Sequence, residues 1–143
     1  MRPTHASRGF LPLLAIWLGV ASCATLEPGP LPEGAVPMTP APEYSDWFMR
    51  TEACAGLFGN FESIEWYVVP DVATFETELG DKVGLWEQTG GVTRITIAGA
   101  YTEHEMVVRH EMLHELLGRE GHPQEYFVTR CHLTWDSWTS TQQ

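Results

Sequence analysis

The chemistry in this chain concentrates at His110-Glu111-Met112-Leu113-His114. Two histidines four residues apart sit about 40° apart around a helix axis, so both imidazoles can reach one metal ion. Glu111, one residue after the first histidine, is too short and too far round to be an easy third ligand. It is well placed to take a proton from a water beside the metal. A catalytic zinc takes three protein ligands and leaves a fourth position open. The third ligand must come from the residues after His114, and His122 is the first candidate. It follows Gly118 and Gly121, where a chain can stop a helix and turn back. Glu125 and His132 are the alternatives. His104 falls about 120° from the face of the two histidines and is expected to meet solvent in the first turn.

A small α+β domain with a short sheet and a central active-site helix is expected to position these groups. Thr102-Glu103-His104-Glu105 has the form of a capping box and Gly118 is a natural stop, which predicts a helix over 102–118. Met106, Met112, Leu113, Leu116 and Leu117 fill an apolar arc beside that of the histidines. Alternation predicts strands over 61–69 and 92–98. A helix is expected over 44–57, with Trp47, Phe48, Cys54 and Leu57 near one side. Pro70-Asp71 is expected to cap a short helix over 72–79, and 80–91 reads as glycine-rich loop. Trp47, Trp66 and Trp86 read as core.

The pattern H-E-x-x-H resembles that of the zincin metallopeptidases. The glycines before His122 resemble the metzincin layout, in which a glycine turn delivers a third histidine. Here the spacing is two residues longer, and no methionine follows His122 to form a Met-turn. The glutamate that gluzincins take from a later helix has little room in the residues after His114. The resemblance covers about 92–131 and reaches the class, not a subfamily. It implies a peptide-bond hydrolase with one catalytic zinc and Glu111 as general base, acting on a peptide or protein substrate. It also implies that strand 92–98 lines the cleft and pairs with substrate backbone. An oxyanion-stabilising group is expected, and Tyr101, Arg119 and Tyr126 are nearby in sequence.

The first 22 residues resemble a bacterial lipoprotein signal peptide. Arg2 and Arg8 precede an apolar run from Phe10 to Val20, and Val20-Ala21-Ser22-Cys23 resembles a lipobox whose cysteine is acylated. Eleven apolar residues interrupted by Pro12 are too few to cross about 30 Å of hydrocarbon. The resemblance implies an anchor at Cys23 in the cell envelope, and Ala24 after it favours the outer membrane. Residues 23–42 hold six prolines and are expected to be a semi-extended tether, with the folded domain over 43–143.

The charge is −11 at pH 7, which excludes phosphate-backbone binding as a main role. With Cys23 acylated, Cys54 and Cys131 remain as a pair for a disulfide in an oxidising compartment. The rival is Cys131, next to His132, as a metal ligand. The domain is expected to be a monomer. The competing function is a non-catalytic zinc-binding envelope lipoprotein, in which an acid at Glu111 has no purpose.

Overall fold

The computed structural model describes residues 27–141, so the signal-like segment and Cys23 lie outside the described residues. A four-stranded sheet carries the domain. Its strands are β1 (Val36–Pro37), β2 (Ile64–Val69), β5 (Gly84–Thr89) and β6 (Val92–Ala98), in the order β1-β2-β6-β5. β2 and β6 run parallel, and the outer strands are antiparallel to their neighbours. A separate hairpin joins β3 (Phe75–Thr77) to β4 (Gly80–Lys82). Three α-helices are found among the described residues: α1 (Glu43–Ala55), α2 (Glu105–Leu117) and α3 (Trp135–Thr141). A π-helical turn over Glu125–Arg130 precedes α3. The α+β class and the central helix are as expected.

The core lies between the sheet, α1 and α2. Ile95 and Ile97 of β6 meet Val108, Met112 and Leu113 of α2, all fully buried, and Tyr44, Phe48 and Trp66 close the α1 side. Burying side chains of this size contributes about 1.5–3 kcal/mol each, which holds α2 against the sheet. Tyr44 adds a cross-link, its hydroxyl donating to the Thr102 carbonyl at 2.6 Å.

Several expectations fail, each for a local reason. Residues 72–79 are not helical. Phe75 is buried while Glu76 is exposed, a two-residue alternation, and Thr77 Oγ1 closes the hairpin by donating to the Gly80 carbonyl. The expected loop over 80–91 contains β4 and β5, because β6 supplies backbone partners from Gly84↔Ile97 to Thr89↔Val92. Phe61–Ser63 form a 3-10 turn ahead of β2.

The capping box does not form. His104 is the N-cap of α2, Thr102 Oγ1 donates to the Gly99 carbonyl, and Glu105 accepts from Arg109 and Arg50. His104 is half-buried against Tyr101 and Trp135, not solvated. The tether expected over 23–42 is, in its described part, laid along the domain. β1 pairs with β2, Met38 packs on the core, and Arg94 Nη1 donates to the Gly29 carbonyl.

Cys54 and Cys131 are joined in a disulfide spanning 77 positions, tying α1 to the segment after the π-turn. Cys131 is therefore not a metal ligand.

Candidate metal centre

α2 holds His110 and His114 on one face, and Gly118 ends it in the left-handed conformation, with φ 59°. Gly121, with φ 85°, turns the chain again, and His122 returns to the helix. The Nε2 atom of His122 lies 2.9 Å from that of His110 and 3.2 Å from that of His114. A tetrahedral zinc with bonds of about 2.0–2.1 Å would set its nitrogens about 3.3–3.4 Å apart. Among the described residues, these three histidines are the group that could hold a metal ion. Glu125 pairs instead with Arg130 at 2.7 Å, and neither it nor His132 joins the cluster.

The outer nitrogens show which ring atoms face the centre. His110 Nδ1 lies 2.6 Å from the Leu133 carbonyl, and His114 Nδ1 lies 3.0 Å from that of Arg119. A carbonyl only accepts, so each Nδ1 carries the hydrogen and each Nε2 offers its lone pair inward. Carbonyls in this position orient metal-ligating histidines and raise their basicity. Burial, assisted by the neighbouring imidazoles, pushes both rings down to about 4 against the pull of those carbonyls, so they remain in the neutral, ligating form. Burial and then Lys82 lower His122 as well. Phe127, fully buried, lies beneath all three rings at centroid distances of 4.8, 4.8 and 4.9 Å. The donor set fits a borderline cation such as zinc.

Glu111 is buried beside this cluster, against the start of β5. A Cβ on Gly84 would fall 2.6 Å from Glu111 Oε1, so the carboxyl occupies the space that any other residue's side chain would fill. Loss of hydration pushes this carboxyl up to about 8, only partly offset by the Trp86 backbone N–H and the charge of Lys82. A bound dication would pull it back toward the carboxylate.

The histidines and Glu111 open into a cavity of about 550 Å³ between α2 and the β4–β5 segment. β5 is the edge strand on this side. β6, expected to line the cleft and pair with substrate, is bonded to β2 and β5 on its two sides and has no free edge. Trp86 is more than core: its ring stacks near His114 at 6.0 Å, and its Nε1 donates to Glu115 Oε2 at 2.9 Å. Thr93 Oγ1 donates to the same oxygen, which fixes α2 against both strands. The residues lining the cavity do not include Tyr101, Arg119 or Tyr126. Arg119 donates to the neighbouring Glu120 carbonyl, and Tyr126 faces the guanidinium of Arg130.

Sequence reasoning read Trp86 only as core and passed over Phe127, Gly84, Glu115 and the Leu133 carbonyl. Gly84, a glycine flanked by Val83, Leu85 and Trp86, was the one available signal, since such a position often admits a close neighbour. No protein-family model, curated protein or solved structure matches this chain.

Proposed function

We propose that this protein is a zinc-dependent endopeptidase of the bacterial cell envelope, anchored through lipid at Cys23. The observation that carries the reading is the pairing of a three-histidine centre with a buried carboxyl that is not one of its ligands. A centre that only stores or senses a metal has no need of an acid held there at the expense of its hydration. That favours catalysis over the non-catalytic zinc-binding lipoprotein.

Zinc, when bound, would supply Lewis acidity that acidifies water and polarises a carbonyl. His110, His114 and His122 would hold it through Nε2. Glu111 would accept a proton at its carboxylate and return it to the leaving amine. Gly84 leaves room for that carboxylate, while Phe127 packs against all three imidazoles and Trp86 against His114. The edge of β5 would offer backbone groups to an extended chain, as sheet edges do. The envelope location rests on residues 1–23, where the apolar run ends at the lipobox-like cysteine.

The test pairs two measurements on the purified protein: zinc by elemental analysis and turnover of a mixed peptide library. The parent should bind one zinc and cleave peptides. Glu111→Gln should keep zinc and lose cleavage. A Glu111→Gln protein that still cleaves would remove Glu111 from the role of base, and zinc without any cleavage would favour the binding protein.

A further inference from the structure

The cleft contains a cation that makes no ion pair and no side-chain hydrogen bond. Lys82 is the only lysine in the sequence and it lines the cavity, half-buried. Arg50, Arg94, Arg109 and Arg130 each have a carboxylate within 4.0 Å, and Arg119 donates to a backbone carbonyl. Among the described residues Lys82 alone of the cations has neither an ion pair nor a hydrogen bond. In a chain of net charge −11, acids for it are plentiful elsewhere on the surface.

Lys82 ends β4, one bend before Gly84 starts β5. Gly84 abuts Glu111, Trp86 meets His114 and Glu115, and Lys82 lines the same cavity. Its charge acts on both Glu111 and His122. Asp81 and Glu120, both exposed, also line the cavity, and neither forms an ion pair with Lys82. The walls between Lys82 and the histidines are apolar, formed by Val83, Leu85, Met106 and Val107. A cation left unpaired at the end of an apolar wall is built to meet an anion brought by a ligand.

We propose that Lys82 is a specificity residue that binds a carboxylate of the peptide substrate, one or two residues from the bond at the metal centre, with an apolar side chain between them. The spacing follows from the chain: Lys82 is two positions before Gly84, which abuts the Glu111 carboxyl, and two residues span at most about 7 Å, the reach of about two peptide units. The carboxylate is either a chain terminus or an Asp or Glu side chain. This inference rests on the peptidase reading of the same site.

Binding of metal-chelating probes tests it without turnover. Three dipeptide hydroxamates share one apolar side chain next to the hydroxamate. The first ends in a free carboxylate, the second in an amide, and the third in an amide after a glutamate. Calorimetry on the zinc-loaded protein should show the first or third binding about tenfold tighter than the second. Which of them gains identifies the terminus or the side chain as the source. In Lys82→Met that advantage should disappear while the amide probe binds as before, which also shows that the variant is folded. Lys82→Arg should keep most of it. Equal binding of all three to the parent, or an equal loss for all three in Lys82→Met, overturns the specificity role and leaves the peptidase reading intact. Failure of every hydroxamate to bind zinc-loaded protein overturns both.

Discussion

At the scale of single residues, the three imidazoles that could hold a metal are separate from the Glu111 carboxyl. Replacing Glu111 by Gln is expected to leave zinc content unchanged and lower turnover by about 10²- to 10⁴-fold, the usual contribution of a general base. Gly84→Ala reaches the same carboxyl from the other side. The added methyl would come within 2.6 Å of Oε1 and within 3.0 Å of Cγ and Cδ, so Glu111 must move. Turnover should fall while zinc stays bound, because the three atoms nearest the added methyl all belong to Glu111 and none to a histidine. An alanine variant with full activity would show that Glu111 need not sit where the structure places it. His122→Ala should weaken zinc binding, measured by competition with a chelator, because its Nε2 is the third nitrogen of the cluster.

At the scale of elements, the centre depends on segments that are not themselves ligands. The disulfide fixes Cys131, and two residues later the Leu133 carbonyl orients His110. The Leu133 N–H in turn donates to the Phe127 carbonyl at 2.7 Å, so the segment and the floor under the imidazoles are one piece. Replacing both cysteines by alanine should lower stability by about 2–5 kcal/mol in denaturant titration. It should also weaken zinc binding, since His110 loses its fixed orientation. Stability lost with zinc affinity unchanged would show that the carbonyl holds its place without the bridge.

At the scale of the whole molecule, the core and the disulfide hold the domain together, and a metal held by the three histidines would add to them. Zinc at about 100 times its dissociation constant stabilises by about 2.7 kcal/mol, so chelation should lower the melting temperature by on the order of 10 °C. The same melting temperature with and without chelator would mean that the three histidines hold no metal.

Stability should also fall in alkali through Tyr44. Burial above all, then the charges of Glu43 and Glu103, push its phenol well above the ordinary range. The folded state keeps a proton that the unfolded chain releases near pH 10, so this contribution is complete below about pH 10 and is lost as pH rises beyond it. Urea midpoints measured from pH 8 to 11 should fall more steeply for the parent than for Tyr44→Phe. Parallel curves would remove Tyr44 from the alkaline transition.

The histidine pair and Glu111 are legible in the sequence because a helix repeats every 3.6 residues, so local spacing fixes which side chains share a face. Gly118 and β6 are legible for the same kind of reason, a local stop and a local alternation. The pairing of Cys54 with Cys131 follows from counting. The convergence of His122 required the tertiary structure, since the angle at which a turn returns is set by what it packs on, here Phe127. β5 escaped the sequence reading because a glycine-bounded strand becomes a strand only when a neighbour supplies its hydrogen bonds, and that neighbour is β6. The capping box failed because Glu105 pairs instead with Arg109, one turn along α2, and with Arg50, which α1 brings up from 55 positions earlier. The place of Lys82 in the cleft was likewise decided by the fold: β4 pairs with β3, and where that hairpin lies against α2 is set by the assembled domain.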